Sequence, residues 1–173
     1  MTTALFLVDV QRNMLEGEAP VPDSASVASL LADLLVRARA AGATVVHVRN
    51  DGAVGDPDEP GTSGWEFVFP IEPGEIVVSK DEQDTLASNS DLAERLRADG
   101  VTHAVVAGMQ SDYCVSATSR GLRSAGFGVV LAGGAHATYD QGRPAAEISA
   151  EVEDELAAEG VSITAAAEVS FEG

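Results

Sequence analysis

Cysteine is nearly absent from this chain: Cys114 stands alone. No internal disulfide framework is available, and such usage fits a reducing compartment. Lysine is equally scarce, with Lys80 the only one beside nine arginines. Arginine serves as well on a surface but not in a tight site, where only lysine offers a compact charge with a movable pKa. Long apolar runs are missing too, and nothing approaches the ~18 residues of a membrane helix. The N-terminal MTTALFLVDVQ has no basic region, and its apolar run Ala4–Val8 stops at Asp9. That pattern reads as a strand and not a signal peptide, so a cytoplasmic protein is expected. Positive charge is short overall: 10 Lys+Arg face 28 Asp+Glu, a formal net of −18. A surface this acidic repels phosphate backbones and anionic lipid, which argues against nucleic acid and membrane as partners.

What remains is ample core. Apolar residues are 45% of 173, enough for one domain over 1–173 and too many for wholesale disorder. Short apolar runs alternate with helical periodicity. Strands are predicted at Ala4–Val8, Thr44–Val48, Glu75–Val78, His103–Ala107, Val129–Ala132 and Val161–Thr164. Between them lie a helix opened by Asp23 or Ser24 and stopped by Gly42, then helices at Ser90–Asp99, Cys114–Ala125 and Pro144–Glu159. Gly100, Gly126 and Gly160 close these three. Residues 50–74, rich in glycine and proline, form a long loop, a feature that is usually functional or mobile. The pattern predicts an α/β fold: a doubly wound, mainly parallel sheet of about six strands with helices on both faces.

In such sheets ligands bind at the carboxyl ends of the strands. Three residues stand there: Asp9, Lys80 and, a few residues past HAVVAGM, Cys114. Free amides and the dipole at a helix start favour a thiolate, and a lysine cation would lower the thiol pKa further. Asp9 as an anion would raise it, so its useful role is that of general base. Each residue also has an ordinary explanation: a small core thiol, a turn aspartate, and a lysine paired with Asp81 or Glu82.

Three stretches, LFLVDVQ (5–11), VVSK (77–80) and GMQSDYCV (108–115), together resemble the isochorismatase-like cysteine hydrolases. That family includes nicotinamidases, N-carbamoylsarcosine amidohydrolase and streptothricin hydrolase. AHATYD (135–140) is similar to the family's D-A-H-x-T segment. The resemblance implies Cys114 as nucleophile, Asp9 as acid/base and Lys80 as the orienting third member. It places a non-proline cis bond at Met109–Gln110, turning the Gln110 N–H toward that of Cys114 as a two-donor oxyanion hole. It further implies hydrolysis of a small-molecule amide, lactam or carbamoyl C–N bond, no organic or redox cofactor, and a homo-oligomer.

Two departures from the family pattern stand out. The metal-ligating Asp-x-His and second histidine of nicotinamidases have no counterpart in VHVRNDGAVGDPDEPGTSGWEF, where His47 is the one histidine; no metal is expected. Gly134 replaces the family's aspartate. Gln11, Met14, Trp65, Tyr113 and His136 are candidate substrate contacts. Trp65 could equally pack the loop onto the sheet, Tyr113 the helix start, and Gln11 orient Asp9. A haloacid-dehalogenase-type phosphohydrolase would need D-x-D where this chain has Asp9-Val10-Gln11. The remaining alternative is a non-catalytic binding domain with an incidental thiol.

Overall fold

A computed structural model of the chain describes residues 2–171. Strand β1 (Thr2–Val8) is followed by the single turn α1 (Arg12–Leu15) and helix α2 (Ser24–Ala40). Then come β2 (Thr44–Asn50), β3 (Ile76–Lys80), the short α3 (Thr85–Ser88), α4 (Leu92–Ala98) and β4 (Val101–Met109). A π-helical turn, Ser111–Val115, leads into α5 (Ser116–Ser124), β5 (Gly128–Ala137), α6 (Ala145–Ala158) and β6 (Ser162–Ala165). All six strands are parallel in the order β3-β2-β1-β4-β5-β6. The order reverses direction between β1 and β4, and that switch point opens a crevice beyond the strand ends.

Both faces of the sheet are buried, which is why the strands read as unbroken apolar runs. Successive β1 side chains alternate between the two cores. Leu5 and Leu7 pack with Val45, Val105 and the inner stripe of α2 (Val27, Leu31, Leu34, Leu35, Ala38). Ala4, Phe6 and Val8 pack on the other side with Leu92 and Leu96 of α4, Leu122 of α5 and Leu156 of α6. Helix α2 ends as its glycine foretells: Gly42 takes a φ of 68°, and the Ala43 amide donates back to the Ala38 carbonyl at 2.9 Å. Its start differs from expectation. Asp23 precedes the helix, but in a left-handed conformation with no side-chain cap.

The helix expected over Cys114–Ala125 is in fact two pieces, so Cys114 lies in the π turn and not in the first turn of an α-helix. Strand β5 runs past Ala132 to Ala137 through a bulge. Val106 pairs Leu131, yet Gly108 pairs His136, so four β5 residues (132–135) fit where β4 has only Ala107. Gly134 takes a φ of 82° inside this bulge, a backbone that glycine adopts without strain. The long loop is tied down at its centre. Arg12 and Val68 amides donate to Glu66 and Val10 carbonyls at 2.9 and 3.1 Å, and Gln11 pairs antiparallel with Phe67. Residues 64–68 therefore run as a short rail alongside 10–13.

Candidate active site

Each member of the sequence-derived trio is delivered by the end of a different strand. Asp9 is the first residue past β1, its φ of 50° turning the chain in the left-handed region that aspartate tolerates better than most residues. Its amide still continues the sheet, donating to Val48 at 2.9 Å. Lys80 closes β3 in register with Asn50 of β2, so its long side chain must pass β2 to reach β1. It does so: Nζ lies 3.0 Å from Asp9 Oδ2, donates to Cys114 Sγ at 3.1 Å, and reaches Asn50 Oδ1 at 3.3 Å. Asp9 and Lys80 are only 1% and 2% exposed, whereas Cys114 is half-buried. The second Asp9 oxygen, Oδ1, is buried without a hydrogen-bond partner.

The electrostatics overturn one expectation. Burial pushes the Cys114 thiol up, the Asp9 carboxylate adds to that, and Lys80 opposes them without winning; the result is about 12. The resting sulfur is therefore a thiol, not the thiolate a lysine neighbour by itself would favour. Burial likewise raises the Asp9 carboxyl above its usual range, Lys80 pulling it back only in part and Asp58 adding to the rise. Burial would lower Lys80, but the Asp9 carboxylate, helped by the hydrogen bond to Cys114, outweighs it and raises the ammonium above its usual value. A neutral thiol beside a buried carboxylate of raised basicity is a poised proton donor–acceptor pair.

The turn carrying Cys114 starts at a close approach of backbones. Gly108 has a φ of 121°, and a Cβ there would fall 2.0 Å from the Val8 carbonyl oxygen, so only glycine lets β4 lie against the end of β1. The Met109–Gln110 peptide is cis. Gln110 and Cys114 line a cavity of about 440 Å³ together with Asp9.

Of the candidate substrate contacts, Met14 and Tyr113 line this cavity; Gln11, Trp65 and His136 do not. Gln11 is buried and spends its amide on the scaffold, donating to Asn50 and Trp65 carbonyls and accepting from the Asn50 amide. Trp65 packs the loop: its Nε1 donates to Asp51 at 2.7 Å and the Arg49 guanidinium stacks 3.5 Å from its ring centroid. His136 faces a separate cavity between α2, β5 and α6, with Ser111 and Glu153 on its two nitrogens. Residues that sequence reasoning missed complete the wall: Asn13, Asn50, Pro57, Asp58, Gln83 and Tyr139. Asn50 was accessible by the strand-end rule that selected Asp9 and Lys80, since it closes β2. Its amide links Lys80 to Asp58, donating to Asp58 Oδ2 at 2.7 Å.

The polar wall of the cavity consists of carboxylates, amides, two tyrosine hydroxyls and the Cys114 thiol, with no imidazole. His47 is buried on Glu75 at 2.8 Å and edge-on to Phe67. Among the described residues no three His, Cys, Asp or Glu side chains cluster as metal ligands. A catalytic zinc requires such a convergent donor set, so these residues do not fit one. No described helix is long and apolar enough to cross a membrane.

Comparison with known proteins agrees with this geometry. Streptothricin hydrolase of Streptomyces noursei is 49% identical over 139 residues, covering 79% of this chain and 50% of that protein; the chain spans about half the length of this relative. Among solved structures, an isochorismatase from Pseudomonas putida KT2440 superposes with a TM-score of 0.84 at 28% identity, covering 96% of this chain and 89% of the other. Pyrazinamidase of Pyrococcus horikoshii in complex with zinc shares the fold, with a TM-score of 0.81 at 24% identity over 95% of this chain and 99% of that one. The Isochorismatase domain model matches residues 3–159, and with the sheet order and the three strand-end residues in place, the chain belongs to the isochorismatase family.

Proposed function

We propose that this protein is a cysteine hydrolase cleaving the C–N bond of a small-molecule amide, lactam or carbamoyl group through a thioester on Cys114. The observation that carries the reading is Lys80 Nζ standing within hydrogen-bond distance of both Asp9 and Cys114, two residues that line one cavity. In this reading the substrate carbonyl sits above Sγ. The thiol proton passes to Asp9, whose Oδ1 has no other partner, as sulfur attacks. Lys80 holds the carboxylate and sulfur in place and offsets the charge developing between them. The oxyanion rests on the Gln110 and Cys114 amides, each such donor being worth about 3–4 kcal/mol in comparable sites. Asp9 then protonates the leaving nitrogen, and water releases the acyl group from the thioester. Met14, Tyr113, Asn13 and Tyr139 would hold the substrate. The acidic surface favours neutral or cationic substrates over anionic ones, and the chain would act in the cytoplasm as a homo-oligomer.

The similarity to streptothricin hydrolase makes streptothricin the first substrate to try, beside a panel of simple amides and lactams. Turnover is expected in the parent protein, with an acyl adduct on Cys114 in the intact mass after acid quench. Cys114→Ala should lose about 10⁴–10⁶-fold in kcat. Retention of turnover by Cys114→Ala would overturn the mechanism, and ligand binding without turnover in both proteins would favour the binding-domain reading.

A further inference from the structure

The segment Ala135–Asp140 is spent almost entirely on other residues' positions. His136 Nδ1 lies 2.8 Å from Ser111 Oγ, and its Nε2 lies 3.0 Å from Glu153 Oε1 on α6. Ser111 Oγ is also 3.0 Å from Ser149 Oγ, again on α6. Two residues on, the Thr138 hydroxyl reaches Asp112 Oδ1 at 2.6 Å and Gln110 Oε1 at 3.2 Å. Asp140 accepts the Ala145 amide at 2.7 Å where α6 begins. The consecutive residues Gln110, Ser111 and Asp112, part of the link from β4 to Cys114, are thus each held by His136 of β5 or by Thr138 just past its end.

Hydrogen-bond direction follows from the chemistry of the groups. The His136 contact holds the Glu153 carboxyl below its usual range, burial opposing, so Nε2–H donates to a carboxylate. In the tautomer that carries its proton on Nε2, Nδ1 accepts from the Ser111 hydroxyl, and Ser111 in turn accepts from Ser149. Every group is satisfied, and Ser111 is fully buried; it is no second nucleophile. Satisfied buried networks of this kind rigidify what they touch.

We infer that His136 is a positioning residue: acting through Ser111, with Thr138 beside it, it fixes the turn that presents Gln110 and Cys114, and it does not touch substrate. The inference rests on the cysteine-hydrolase reading for its kinetic consequence but not for its structural one. It also explains the β5 bulge. The four residues 132–135 opposite one β4 residue shift His136 into register with Gly108, which places it and Thr138 beside the turn.

The test uses Ser111→Ala, His136→Gln and His136→Asn in the full chain, each first checked for cooperative thermal unfolding. Asparagine keeps an acceptor near the Nδ1 position, whereas glutamine reaches toward Glu153 and takes from the Ser111 hydroxyl its acceptor on residue 136, leaving it Ser149 alone. Hydrogen exchange over residues 108–116 needs no substrate. It should quicken several-fold in Ser111→Ala and His136→Gln through easier local opening, and return toward the parent rate in His136→Asn. With a turned-over amide, kcat should fall about 10–100-fold at nearly constant KM in the first two variants, the scale of a small misplacement at the reacting centre. Iodoacetamide labelling of Cys114 should stay within about threefold of the parent, because Asp9 and Lys80 hang on other strands and a small misplacement of the turn leaves their charges in place. Unchanged exchange over 108–116 overturns the inference, as does a raised KM at constant kcat, which would mean that His136 meets the substrate. Ser111→Ala is the mildest change and decides the matter should the histidine variants fail to fold. If exchange quickens while the parent turns over no amide, the positioning role stands and the hydrolase reading falls.

Discussion

Replacing Asp9 with Asn should make Cys114 easier to alkylate while slowing catalysis. The sum of the two contacts through Lys80 Nζ keeps Asp9 Oδ2 and Cys114 Sγ within about 6 Å of each other. At an effective dielectric near 20, two unit charges at that separation interact by about 3 kcal/mol, which is about 2 pH units. Deleting the anion also leaves the whole Lys80 charge to the sulfur. The thiol should therefore fall from about 12 by at least about 2 units, raising the thiolate fraction near pH 8 about 100-fold. A less basic thiolate is a weaker nucleophile, with a Brønsted slope of about 0.4–0.5, so the net gain in alkylation rate is about tenfold. In the proposed mechanism Asp9 is the general base, so turnover should drop about 10²–10⁴-fold. The assay is iodoacetamide labelling from pH 7 to 10.5 followed by intact mass, where a single cysteine leaves no ambiguity. Labelling of Asp9→Asn that is slower than, or equal to, that of the parent would refute the argument, since it would mean that Asp9 does not oppose the thiolate.

Lys80→Met acts in the opposite sense. Labelling of Cys114 should slow further and the acid limb of the rate profile should move to higher pH, because Lys80 is what holds Asp9 down; the uncompensated buried carboxylate should also cost about 3–5 kcal/mol in urea unfolding. Gly108→Ala should fail to fold or lose most of its stability, given a Cβ 2.0 Å from Val8 O at a φ of 121°; a soluble variant with an unchanged urea midpoint would show that β4 can back away from β1. Glu75 supplies an acid-stability test. Burial pushes it up, but Arg39 at 2.7 Å, the Glu72 amide and His47 overcome this and hold it at about 2. A carboxyl depressed in the folded state stabilises above its unfolded value and loses that contribution as pH falls, here between about 4.5 and 2. The loss should reach about 2–3 kcal/mol, or roughly 5–10 °C in Tm, and Glu75→Gln should lack this component; parallel Tm–pH curves for the two proteins over that window would count against it.

The architecture and the meeting of Asp9, Lys80 and Cys114 were legible because both follow from local patterns. Buried parallel strands must be apolar on both faces, so ALFLV, TVVHV and HAVVA announce themselves, and glycine marks helix ends by its left-handed φ. Polar residues that interrupt such runs at strand ends lie, by topology, on the one rim where ligands bind, and Asp9, Lys80 and Cys114 could be chosen on that ground with no knowledge of distance. The short turns α1 and α3 escaped notice because a single turn has no periodicity to detect.

Beyond the trio, residue type was a poor guide and tertiary structure decided. Trp65 had the composition of a pocket wall, yet the pairing of 64–68 along 10–13 turns it onto Arg49 and Asp51. Gln11 shares that rail and ties it to β2. His136 is carried to Ser111 by a bulge whose size no run of residues discloses, whereas Asp58, Gln83 and Tyr139 come to the cavity from segments distant in sequence. The thiol shows the same division most sharply. That Cys114 stands near a lysine and an aspartate was readable from strand ends, but whether it rests ionised depends on how much water the packed sheet excludes. Desolvation is a property of the whole fold around a group, and it outweighs the one cation that the sequence brought to notice.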